Sequence, residues 1–115
     1  MSTAHHYKSN LRDVFFNLFE VNKLSEKTLS QPMFQHLDEA TCRHMLSEVY
    51  RLCETELATS YAADDREGLH FDGEGNVTLP EGLSRHMVTF REAGWPLLGL
   101  PEHMGGIGAP PSVAW

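Results

Sequence analysis

The sequence predicts a mainly α domain, and three observations carry that expectation. Apolar residues recur at three- and four-residue spacing over 11–21, 39–61 and 81–93, the period of a helix that turns one face to a core. The extended-looking stretch near 69–79 is short and surrounds a glycine-rich turn, so it reads as a minor hairpin and not as an independent sheet. Finally, 115 residues of 41% hydrophobic composition make one domain that can bury a core without a metal or a disulfide.

Each element follows from local chemistry. Met1 to Ser9 are polar, with adjacent His5 and His6 and no apolar period, and read as a loose arm. Asn10 offers an N-cap to a short amphipathic helix carrying Leu11, Val14, Phe15, Leu18, Phe19 and Val21, with Phe16 outside that stripe. Residues 22–35 mix Lys, Ser, Glu and Thr with Leu24, Leu29, Met33 and Phe34, and Pro32 interrupts any helix there. This stretch reads as a connector, which makes 1–35 an N-terminal extension and 36–115 the domain proper.

Asp38, followed by Glu39, is a sound helix start beside the positive end of the macrodipole. Cys42, Met45, Leu46, Val49, Cys53 and Leu57 form one stripe of a helix expected from Glu39 to Tyr61. From Asp64 to Glu74 five acids face Arg66 alone, which reads as a solvated loop. His70-Phe71 and Val77-Thr78-Leu79 then flank Gly73-Glu74-Gly75-Asn76 as the two arms of the hairpin. Pro80 and Glu81 open a third helix, with Leu83, His86, Met87 and Phe90, that runs to Ala93 and stops at Gly94. Trp95 to Gly108 is rich in Gly and Pro yet heavily apolar, a structured loop, and Pro110-Pro111-Ser112 resembles the opening of another helix.

Nine Lys and Arg against sixteen Asp and Glu give a net charge of −7, with the cations scattered along the chain. That balance argues against nucleic-acid binding and against docking on an anionic membrane, both of which need clustered positive charge. The longest apolar run is three residues, Val14 to Phe16, so neither a spanning helix nor a secretory signal is expected, and a cytoplasmic location is. Cys42 and Cys53 are eleven residues apart, about 16 Å along a helix. They cannot bridge each other and read as free, buried thiols.

No self-contained site emerges. His36 and His44 are eight apart, His70, His86 and His103 are isolated, and neither a His-Glu-x-x-His nor a paired-Cys motif occurs. Ordinary packing or surface roles are expected for them, and His5 with His6 amounts to an adventitious terminal pair. Gly105-Gly106-Ile107-Gly108 follows Pro101 and no strand, so it is expected to permit positive φ or close backbone approach and not to cradle a phosphate. There is no Gly-x-Ser-x-Gly turn, and no carboxylate pair is singled out by spacing. No catalytic, cofactor-binding or metal residue is assigned.

One resemblance goes further. Gly94-Trp95-Pro96-Leu97-Leu98-Gly99-Leu100-Pro101-Glu102-His103-Met104-Gly105-Gly106-Ile107-Gly108 resembles the signature that ends the N-terminal helical domain of acyl-CoA dehydrogenases: Gly-Trp, apolar residues, then Pro-Glu-x-x-Gly-Gly-x-Gly. Tyr7 to Val21 is similar to the extra N-terminal segment of the subgroup that includes 3-methylmercaptopropionyl-CoA dehydrogenase-like and some long-chain acyl-CoA enzymes. The resemblance implies an up-down, bundle-like helical domain of a homo-oligomeric enzyme that oxidises acyl-CoA to trans-2-enoyl-CoA. It implies FAD as hydride acceptor, electron-transfer flavoprotein as the usual reoxidant, and a catalytic Glu on a later domain. Pro101, Glu102, Gly105, Gly106 and Gly108 match the family turn, whose implied role is to position the next helix near the substrate channel. Met104 stands where the family often has an aromatic.

Two expectations follow from the end of the chain. A helix one turn long ending on Trp115 suggests a piece of a longer protein, inactive by itself and without affinity for FAD. Val14, Phe15, Phe16, Phe19, Trp95, Leu97, Leu98, Ile107 and Trp115 exceed what three helices bury among themselves, so they are expected to be partly exposed. The alternative to an enzyme domain is a free-standing helical interaction module; a third reading, a metal-binding domain, has less in its favour.

Overall fold

The computed structural model describes residues 7–115, so His5 and His6 lie outside the described residues. Asn10 caps α1 (Leu11–Phe15), its Oδ1 accepting the Asp13 N–H at 3.1 Å. The helix then widens into a π-helical segment, Phe16–Val21, closed by the Asn22 N–H donating to Asn17 O at 3.0 Å. Phe15 at the end of α1 and Leu18 and Phe19 in this segment pack against the core, while Phe16 is exposed. The arm before it is less loose than expected. The Ser9 N–H donates to Glu54 Oε1 at 2.8 Å, and the Ser9 hydroxyl reaches the same oxygen.

The connector contains structure. Lys23 adopts a left-handed conformation (φ 50°) that reverses the chain into α2 (Leu24–Lys27), and a 3-10 turn follows at Pro32–Phe34. Leu24, Leu29 and Leu37 are buried together with Cys42, Leu46, Leu98, Ala109 and Val113. Polar neighbours hid this in the sequence, because three leucines without helical spacing carry no periodic signal.

Asp38 caps α3 (Glu39–Thr55), its Oδ1 accepting the Thr41 N–H at 2.7 Å. That backbone bond holds the Asp38 carboxyl below the usual carboxylate range. Its stabilising contribution is therefore present at neutral pH and lost as pH falls through the carboxylate range. Asp38→Ala should lower the melting temperature by a few degrees at pH 7 and by less at pH 3. Asp38→Asn, which still caps, should retain most of the stability; thermal melts of the three proteins at both pH values check this.

The expected helix from Glu39 to Tyr61 is instead two. It stops at Thr55, a 3-10 turn covers Leu57–Thr59 with Ala58 buried, and α4 (Tyr61–Glu67) follows where a solvated loop was expected from Asp64. The hairpin forms as β1 (His70–Phe71) and β2 (Val77–Thr78), antiparallel, with His70 opposite Thr78 and Phe71 opposite Val77. Asp72 ties its turn, Oδ1 accepting the N–H of Glu74 and Asn76 and Oδ2 accepting Asn76 Nδ2 at 2.6 Å. α5 (Glu81–Glu92) runs as expected, with Pro80 just before its first turn and Gly94 left-handed beyond its end. α6 (Pro111–Ala114) is the helix start read from Pro110-Pro111.

The molecule measures 50 × 34 × 20 Å with a radius of gyration of 17.4 Å, against about 13 Å for a compact chain of this length. Burial is correspondingly incomplete. Phe16, Leu97, Ile107 and Trp115 are exposed, while Val14, Phe15, Phe19 and Trp95 are half-buried. Leu98 departs from the expectation: it is buried, because the loop that carries it folds back on α2 and α3.

Candidate functional site

The loop from Gly94 to Ala109 is where the chain comes closest to a built site. Two 3-10 turns, Trp95–Leu97 and Glu102–Met104, are joined by backbone bonds that cross the loop. Ile107 N–H donates to Leu97 O, Gly108 N–H to Leu100 O and Ala109 N–H to Leu98 O, at 3.0, 2.8 and 2.9 Å. Gly105 N–H donates to Glu102 O and Gly106 N–H to Pro101 O. All four amides of Gly105-Gly106-Ile107-Gly108 thus point at carbonyls of the same loop, so none is directed outward to an anion as a phosphate cradle requires.

Both glycine roles read from the sequence occur here. A Cβ on Gly106 would lie 1.9 Å from Leu100 O, an approach only glycine allows. Gly108 has φ +69°, and a Cβ there would lie 3.0 Å from His36 Nε2. His36 approaches from the segment before α3: Nε2 is 2.8 Å from Ile107 O, and Nδ1 is 3.5 Å from Glu102 Oε2. Of the matched turn residues, Glu102, Gly106 and Gly108 therefore meet at or near His36 and Leu100, while Pro101 supplies the carbonyl for Gly106. The sequence reading gave His36 an ordinary packing or surface role, since its partner lies 71 residues away.

A second cluster joins α4 to α5. Ser60 Oγ donates to Asp64 Oδ2 at 2.6 Å and lies 3.0 Å from Nδ1 of buried His86. Ser, His and Asp are thus together, but in the wrong order for a nucleophile: the histidine must take the serine proton and the acid must orient the histidine. Here the hydroxyl proton goes to Asp64, so Oγ accepts from His86 Nδ1–H. Gly82 fits against this brace, for a Cβ there would lie 2.4 Å from Asp64 Oδ1 and 2.7 Å from Ser60 Cβ.

A third cluster joins the first helical segments to α3. Arg43 lies over the rings of Phe19 and Phe15 at 4.3 and 4.8 Å and donates to Glu39 Oε1 at 2.7 and 2.9 Å. Ser25 Oγ donates to Glu39 Oε2 at 2.7 Å, and these bonds, that of Ser25 foremost, hold the Glu39 carboxyl low. Stacking and charge together fasten the π-helical segment to α3. Cys42 is fully buried and Cys53 half-buried; both are free, and burial pushes both thiols up, away from the reactive thiolate. Among the described residues no three His, Cys, Asp or Glu are placed to hold a metal ion, and no helix is long and apolar enough to cross a membrane.

No protein-family model matches the chain. It is 41% identical, over 111 residues and 96% of its length, to a broad-specificity linear acyl-CoA dehydrogenase of Mycobacterium tuberculosis. It is 31% identical, over 108 residues and 93% of its length, to a 3-methylmercaptopropionyl-CoA dehydrogenase of Ruegeria pomeroyi. The chain spans 18% of the length of each of these curated relatives.

Proposed function

The chain belongs to the acyl-CoA dehydrogenase family, and on that premise we propose that it serves as the N-terminal helical domain of an enzyme that oxidises acyl-CoA to trans-2-enoyl-CoA. The observation that carries this reading is the 41% identity over 96% of the chain to a protein named for that activity. The crossed backbone of residues 97–109 supports it, because each glycine of the matched turn that the fold constrains is constrained for a steric reason.

In this reading residues 1–35 are an N-terminal extension with a short amphipathic helix, and residues 36–115 are the helical domain. The chemistry belongs to other parts of the enzyme. FAD accepts hydride in such a reaction, but the 105–108 turn offers its phosphates no amide, and no step is assigned to a residue of this chain. The work of these residues is architectural: they set the position of α6 beside the acyl-CoA channel. Electron-transfer flavoprotein as reoxidant, a homo-oligomeric assembly and a cytoplasmic location complete the proposal.

Purification of the whole gene product tests it. The protein should be yellow with bound FAD and should bleach on anaerobic addition of a linear acyl-CoA, whereas the 115-residue chain should do neither. A full-length product that takes up no FAD, or turnover by the short chain, overturns the reading.

A further inference from the structure

We propose that His36 is a positioning residue that clamps the turn of residues 102–108 with both ring nitrogens and so fixes where α6 begins. The proposal rests on the reading of this chain as an acyl-CoA dehydrogenase domain only for its consequence in substrate binding; the clamp itself stands on geometry.

A carbonyl oxygen can only accept, so Nε2, 2.8 Å from Ile107 O, carries a hydrogen. In the neutral ring that leaves Nδ1 as a lone pair facing Glu102 Oε2 at 3.5 Å. In the imidazolium both nitrogens donate, and the second arm engages. The clamp therefore has one bond when the ring is neutral and two when it is charged. Glu102 is the charged group that the loop presents to the ring, and on His36's own segment the Asp38 carboxylate is occupied by the Thr41 N–H. The Glu102 side chain is 62% exposed, so its arm is the weaker, and the bond to Ile107 does most of the holding.

The ring also acts by its bulk. Its Nε2 and Cε1 lie 3.0 and 3.2 Å from the place of a Cβ on Gly108, so the imidazole fills the room a side chain there would need. His36 is held in turn by Leu37, buried in the core next to it, whose N–H donates to Phe34 O at 2.9 Å. Directly after Gly108, Ala109 and Pro110 are buried and α6 begins at Pro111. A shift of residues 107 and 108 would thus displace the first turn of α6.

The experiment uses the full-length protein and the variants His36→Ala, His36→Gln and Glu102→Gln. Hydrogen exchange at the amides of Gly108 and Ala109 reads the clamp whether or not the protein turns over acyl-CoA. His36→Ala should raise exchange about five- to tenfold, and His36→Gln, whose amide can donate to Ile107 O, should restore most of the protection. Glu102→Gln, which keeps the shape of the side chain but loses its charge, should raise exchange by no more than about twofold, because its exposed arm is the weaker. In turnover, His36→Ala should raise KM for acyl-CoA about five- to tenfold with kcat within twofold and FAD content unchanged, and His36→Gln should recover it. Unchanged exchange in His36→Ala, or no recovery by His36→Gln, overturns the clamp. If His36→Ala does not fold, His36→Phe, which fills the same space without a donor, takes its place: exchange should rise about as far, and unchanged exchange overturns the clamp. An intact clamp in a protein without FAD refutes the enzyme reading and not the clamp.

Discussion

Gly106→Ala should cost about 3 kcal/mol or more of stability, the largest loss expected from adding one methyl group to this chain. The Cβ would meet Leu100 at its oxygen (1.9 Å), its carbonyl carbon (2.4 Å) and its Cβ (2.5 Å). Two of these atoms are backbone, so no rotamer change relieves the clash. Moving the two segments of the loop apart breaks the bond from Gly106 N–H to Pro101 O and that from Gly108 N–H to Leu100 O. The loop would then release Leu98, Ala109 and Val113, which are 7%, 5% and 3% exposed. Gly105→Ala is the control: its φ of +89° is unfavourable for alanine, but nothing lies within 4 Å of the new Cβ, so it should cost only about 1 kcal/mol. Thermal melting followed by circular dichroism separates the two. Equal melting temperatures would show that the crossed backbone is not what requires the glycine.

Leu24→Ala should cost about 2 to 5 kcal/mol. Leu24 is 3% exposed and packs in the same core as Leu29, Leu46 and Val113, so truncation leaves a cavity among residues that the chain brings from three distant segments. Glu26→Ala, two residues on and exposed, should change stability by less than about 0.5 kcal/mol. Denaturant midpoints of the two variants check the contrast. A Leu24→Ala protein as stable as Glu26→Ala would mean that residues 22–35 are a connector after all.

These two sites mark the boundary of what the sequence made legible. Helix starts were readable because Asn10 and Asp38 each satisfy an amide three residues away, and the end of α5 because Gly94 adopts a left-handed turn. The hairpin was readable from its glycine-rich tip. Leu24 and Leu29 were not, since their burial depends on Leu98 and Val113 arriving from the far end of the chain. The break after Thr55 was hidden for a similar reason. Apolar spacing runs on through Leu57, but Ser60 is held by His86, 26 residues later, and by Asp64, so the chain turns to meet α5. In the candidate site the glycines of the loop were legible through the resemblance and through their conformational freedom. His36 was not, for a histidine ahead of a helix gives no local sign of a carbonyl 71 residues away.

The return of the last segment to the first has a consequence in time. Leu24, Leu29 and Leu46 share a core with Leu98, Ala109 and Val113, yet during synthesis Leu98 is added 52 residues after Leu46 (98 − 46). At translation rates of roughly 5 to 20 residues per second, that interval lasts about 3 to 10 s. Throughout it the nascent chain carries a leucine-rich surface whose natural cover does not yet exist. α3 can form as it emerges, held by its own cap, but the core cannot close until the Gly-Pro loop has been made. The order of synthesis thus delays closure of the core for a period set by the length of the α4, hairpin and α5 excursion.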